Sequence, residues 1–116
     1  MSIITKPGSI VKGVSATFTL DKSALAALSA VQNDPYFVDS SNWHRIHVVF
    51  KSNPGSQYEV VEFDATQSSP SGHFLISQKA RDIFQVQYME IFDFDGGVLK
   101  IPRSSLVTSE FDIDLT

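Results

Sequence analysis

The chain has 116 residues, 42% of them hydrophobic and 19% charged, with nine Lys plus Arg against thirteen Asp plus Glu for a formal charge of -4. A chain of this length forms one domain, expected over residues 1–116, that buries roughly two-thirds of its unfolded surface; the absence of cysteine excludes disulfide frameworks, thiolate zinc, iron–sulfur clusters and thiol nucleophiles. The basic residues are scattered singly, which leaves no footprint for a phosphate backbone or an anionic membrane, so neither nucleic acid nor membrane insertion is expected.

The amino-terminal run breaks at Pro7-Gly8 before the apolar core of a signal peptide can form, and no apolar stretch approaches the roughly 20 residues of a membrane helix. A soluble chain is expected, with its compartment left open. From Val14 to Leu20 the sequence alternates Val14, Ala16, Phe18 and Leu20 with Ser15, Thr17 and Thr19, the period-two pattern of a strand with one face buried. One segment departs from this period. Asp21 to Gln32 is rich in Ala and Leu, spaces Leu25, Leu28 and Val31 or Gln32 for a helix, and opens on an Asp suited to an N-cap, so a short helix near 22–32 is expected. It stops before Asn33-Asp34-Pro35, because proline disfavours helical geometry in the residue before it. The alanines Ala24, Ala26, Ala27 and Ala30 give the helix a slim body that can lie against a sheet or another subunit.

From Trp43 to Phe50, Ile46, Val48 and Phe50 form one face with His44 at its start, and Trp43, Arg45, His47 and Val49 the other. Further alternating runs follow at Gln57–Phe63, His73–Ser77, Asp82–Tyr88, Met89–Asp95 and Val98–Arg103, with a last alternation of Phe111, Ile113 and Leu115. The polar connections 39–42, 52–56 and 66–72 carry turn residues. About eight short strands at this spacing, with one helix, predict a mainly antiparallel all-β fold, a jelly-roll-like β-sandwich.

In the stretch Met89 to Arg103 a two-residue turn at Gly96-Gly97 would pair Phe94 with Leu99, Asp93 with Lys100 and Phe92 with Ile101. Those matches favour it over a turn at Asp95-Gly96, which would set Asp93 against Val98 and Ile91 against Lys100.

Candidate chemistry is sparse. Asp93 and Asp95 before a glycine pair resemble the start of a calcium loop, but the further ligands and terminal Glu of such a loop are missing, so a turn with a cross-strand ion pair is preferred and no cofactor is expected. His44 and His47 are three apart, which on a strand turns their rings to opposite faces and argues against a shared metal. No nucleophile elbow, Ser-x-x-Lys pair or glycine-rich phosphate cradle is present, so no enzyme is expected.

The suggestive feature is the outward strip of Trp43, Arg45 and His47, an aromatic, a guanidinium and an imidazole in one row, which Tyr36 and Tyr58 could extend. Such a row can stack on a sugar face and direct hydrogen bonds to it. In the plainer placement Trp43 caps the core edge, with Arg45 and His47 solvated. The functional expectation is a non-catalytic recognition module for carbohydrate or another exposed surface group. The alternative is a self-associating structural or assembly subunit, such as a phage particle, capsid or fibre component, forming a homo-oligomer.

Overall fold

The computed structural model of this chain describes residues 2–31, 34–53 and 55–115, and within them eight strands pair antiparallel in two sheets. A small sheet has the order β1 (Ile4–Thr5), β2 (Ser15–Leu20), β5 (Ser71–Leu75). A larger sheet has the order β4 (Tyr58–Asp64), β3 (Trp43–Asn53), β6 (Ile83–Asp93), β7 (Val98–Pro102), and β8 (Ile113–Asp114) pairs with the start of β6.

The two sheets form a β-sandwich around one apolar core. Ala16, Phe18 and Leu20 of β2 and Phe74 of β5 face Ile46, Val48 and Phe50 of β3, Val61 and Phe63 of β4, and Met89 and Ile91 of β6, all of them buried. Phe74 lies edge-on to Phe18, at 6.5 Å between centroids, and to Phe84, at 5.6 Å. Each fully buried side chain of this size contributes about 1.5–3 kcal/mol, so the inward rows are what hold the sheets together. Val14 leads the predicted row of β2 but is exposed, because it precedes the strand in a tight turn where its N–H donates to the Val11 carbonyl.

The predicted helix is α1 (Lys22–Val31), with the Asp21 carboxylate accepting from the Ala24 N–H. Leu25 is buried and Leu28 packs against the core, in keeping with the helical spacing. The expected end at Gln32 and Asn33, and Pro54 of the 52–56 connection, lie outside the described residues.

Three local expectations are corrected. Asp82–Tyr88 and Met89–Asp95 are one strand, β6, because the inward residues Phe84 and Val86 are followed by Met89 and Ile91. The step of three is a bulge: Val49 pairs with Tyr88 and Phe50 with Val86, leaving Gln87 between them. Phe111 lies on a single turn, α2 (Thr108–Phe111), rather than a strand, although it is buried with Ile113 and Leu115 as their alternation requires.

The third correction concerns the β6–β7 hairpin. Its register is Phe92 with Val98, Ile91 with Leu99, Glu90 with Lys100 and Met89 with Ile101, so Asp93 does not face Lys100. The Asp93 carboxylate accepts from the N–H groups of Asp95 (2.9 Å) and Gly97 (2.6 Å), and the Asp93 N–H donates to the Gly97 carbonyl. This wider turn, with Gly96 at φ +88°, outcompetes the two-residue one. It turns Ile91 and Ile101 together into the core and keeps an opposite-charge pair, Glu90 with Lys100, outside.

The sheets meet at one corner, where β5 crosses close to β4. A Cβ on Gly72 would stand 2.5 Å from Val61 Cγ1 and 2.9 Å from the Glu62 carbonyl oxygen, so only glycine allows this approach.

Candidate functional site

β3 carries one more residue than β6 at its start. Trp43 pairs with Asp93 and Arg45 with Phe92, so His44 bulges between them. An extra residue reverses the alternation upstream of it, and this corrects the predicted strip. Trp43 turns inward, 1% exposed, with its indole Nε1–H donating to the Phe37 carbonyl at 3.0 Å. Arg45 and His47 remain on the outer face of the larger sheet, Arg45 exposed and His47 half-buried.

The other two expected members do not join them. Tyr36 is exposed in the segment before β3, its ring edge-on to Phe37 at 5.2 Å. Partial desolvation and the neighbouring Asp93 and Asp95 carboxylates hold its phenol above the ordinary tyrosine range. Tyr58 pairs with Lys51, six residues along β3 from Arg45, which is roughly 20 Å at the rise of a strand. The five expected residues therefore do not form one site.

What the bulge does create is a cleft at the end of the larger sheet. His44, lifted out of the strand, stacks on Phe94 from the β6–β7 turn, with centroids 4.9 Å apart and planes at 29°. This pair, together with Arg45, Glu62, Asp64 and Thr66, lines an open cleft of about 530 Å³ that Phe63 and Ser71 complete. Phe94 is 59% exposed, so the stack presents an aromatic surface to solvent.

The polar groups around it are held in place. Asp64 Oδ1 accepts from the Thr66 hydroxyl (2.5 Å) and the Thr66 N–H (3.0 Å). Those two bonds, hydroxyl first, pull the Asp64 carboxyl below its ordinary range, and the nearby His44 and Lys22 add to the effect. Lys22 reaches over from α1 to donate to the carbonyls of Ala65 (2.7 Å) and Gln67 (3.2 Å), and the Ala65 N–H donates to the His44 carbonyl. The loop after β4 is thus tied to both the helix and the bulge. Glu62 lies 3.2 Å from His47 Nε2 and 3.9 Å from the Arg45 guanidinium, and Arg45 sits 4.8 Å over the Phe92 ring.

Asp93, one of the weighed calcium candidates, uses its Oδ1 to accept the two backbone N–H bonds of the turn, and Asp95 is at the exposed tip. Among the described residues no group of three or more His, Asp or Glu is placed to hold a metal ion. No described helix is long and apolar enough to cross a membrane.

Of the residues that line the cleft, only Arg45 belongs to the expected strip; Glu62, Asp64, Thr66 and Phe94 carry no site signal in the sequence. The signal for the bulge is in the chain: the inward residues Trp43 and Ile46 are three apart, an odd step within an otherwise even series.

No family model and no curated protein matches the chain. Among solved structures it is similar to "Cwp6 from Clostridium difficile", with a TM-score of 0.63 and 13% identity, a match that covers 99% of this chain and 17% of that one. The chain therefore spans less than a fifth of that protein's length, and the likeness is one of fold.

Proposed function

We propose that this domain is a non-catalytic recognition module that binds carbohydrate, or another exposed group of similar shape, in the cleft of His44 and Phe94. One observation carries the reading: a solvent-facing aromatic stack is rimmed, within one open cleft, by the Arg45 guanidinium and the carboxylates of Glu62 and Asp64. A flat ring offers a surface on which an apolar sugar face can stack, while guanidinium and carboxylate supply directed bonds to hydroxyls. Asp64 keeps its charge into acid because Thr66 stabilises the ionised form, and so it remains an acceptor over a wide pH range. The strip of Trp43, Arg45, His47, Tyr36 and Tyr58 gives way to this cleft, with Arg45 common to both.

The test is a glycan-array screen followed by calorimetry of any hit against wild type, Phe94→Ala and Arg45→Ala. Phe94 is mostly exposed, so its removal should leave the fold intact and weaken binding by about tenfold, the worth of one aromatic contact. A hit bound equally well by Phe94→Ala would place recognition elsewhere. A second reading, a self-associating subunit, rests on the outer face of the larger sheet.

A further inference from the structure

The two solvent faces of the sandwich differ in kind. The outer face of the small sheet is short and, among the described residues, uncharged by carboxylates or lysines, with Ser15, Thr17, Thr19, Ser71 and His73 beside an exposed Leu75. On the larger sheet, pairing aligns side chains of β4, β3, β6 and β7 in cross-strand rows. The middle row reads Glu62, His47, Glu90, Lys100. On one side of it the row is Val60, Val49, Tyr88, Pro102, and on the other Asp64, Arg45, Phe92, Val98.

These rows are complementary to their own reversal. A two-fold axis lying in the face, parallel to the strands and between β3 and β6, sets each row against itself read backwards. Glu62 then meets Lys100 of the second copy, and His47 meets Glu90. Val60 meets Pro102, apolar against apolar, and Tyr88 lies over the position of Val49, which its own neighbours already bury. In the third row Arg45 meets the Phe92 ring, repeating between copies the cation–π contact it makes within one. Asp64 meets Val98 in the one unmatched pair, at the end of the face where the cleft opens to solvent. Opposite charges and apolar groups brought into register by one symmetry operation are what an isologous interface requires, and sheets packed face to face at about 10 Å leave room for the Glu and Lys side chains to reach each other.

We infer that the outer face of the larger sheet binds a second copy of this chain, as a two-fold sheet-on-sheet dimer held in register by Glu62–Lys100 pairs. This deepens the self-association reading, and because Arg45, Glu62 and Asp64 belong to both surfaces, the dimer and a ligand in the cleft compete for those side chains. Three rows across four strands span roughly 20 × 20 Å, a small interface, so the dimer is weak and its dissociation constant falls in the micromolar range.

The experiment is sedimentation equilibrium of wild type, Glu62→Lys, Lys100→Glu and an equimolar mixture of the two variants, up to about 0.5 mM, a concentration set by the weak affinity expected. Both positions are exposed, and thermal melts verify that each variant folds. Each variant alone opposes like charges twice across the axis and should associate about tenfold more weakly than wild type or worse. The mixture restores both pairs, lysine of one copy against glutamate of the other, and should dimerise like wild type. Wild type that stays monomeric would overturn both the dimer and the self-association reading. Wild type that associates, with variants that associate equally well alone, would overturn this interface while leaving self-association through another surface. Variants that weaken alone and are not rescued by mixing would overturn the two-fold pairing.

Discussion

Replacing Gly72 with alanine tests the corner where the sheets meet. Its φ is not positive, so the backbone there suits any residue, and in open space alanine in a strand would be favoured by about 0.5–1 kcal/mol. The structure reverses that sign. The new methyl would come within 2.5 Å of Val61 Cγ1, 2.9 Å of the Glu62 carbonyl oxygen and 3.1 Å of the Phe63 ring. Val61 and Phe63 are fully buried, and a β-branched valine has little rotamer freedom with which to yield. β4 and β5 must therefore separate by several tenths of an ångström. Overpacking of this kind costs about 1–3 kcal/mol, which for a domain of this size lowers the melting temperature by roughly 3–15 °C. Gly8→Ala is the control, since a Cβ there meets nothing within 4 Å; it should stay within about 0.5 kcal/mol of wild type. Urea unfolding of both variants gives the answer. A Gly72→Ala protein as stable as wild type would show that β5 does not approach β4 as described.

Trp43→Phe should destabilise by about 2–4 kcal/mol, because it removes the indole N–H from the Phe37 carbonyl and leaves a cavity in the core. An unchanged urea midpoint would contradict the inward orientation of Trp43, as would emission from this sole tryptophan that iodide quenches freely. Asp64 should titrate below its ordinary value of 3.8. Since its folded value is the lower one, its contribution to stability is present above the unfolded value and is lost as pH falls through the folded one. Thr66→Val removes the hydroxyl donor, and the Asp64 carboxyl resonance should then titrate closer to the ordinary value in a carbon-detected NMR series. A titration that does not move would assign the shift to something other than Thr66.

Much of the architecture was legible because burial imposes its period on the chain. Ala16, Phe18 and Leu20 alternate with Thr17 and Thr19, and they are buried and exposed accordingly. The Ala- and Leu-rich run capped by Asp21 is the helix that propensity and spacing predict. The site was less legible, because it is assembled from parts distant in the chain: the bulge at His44, the end of β4 at Glu62 and Asp64, the loop at Thr66, and the turn at Phe94. None of these carries a motif. Each contributes a common residue whose role comes only from its neighbours.

The same contrast separates what composition and periodicity determined from what tertiary structure decided. The class of fold, the inward residues within each uninterrupted run and the position of the helix follow from the chain, since each depends on a residue's own polarity and its nearest spacing. The phase of Trp43 across the bulge and the register of β6 on β7 do not. Trp43 turns inward where its N–H finds the Phe37 carbonyl, and β7 slides until Leu99 and Ile101 pair with Ile91 and Met89 while Asp93 closes the turn. Both outcomes depend on hydrogen-bond partners and buried surface supplied by other segments, which come into being only when the strands are brought together.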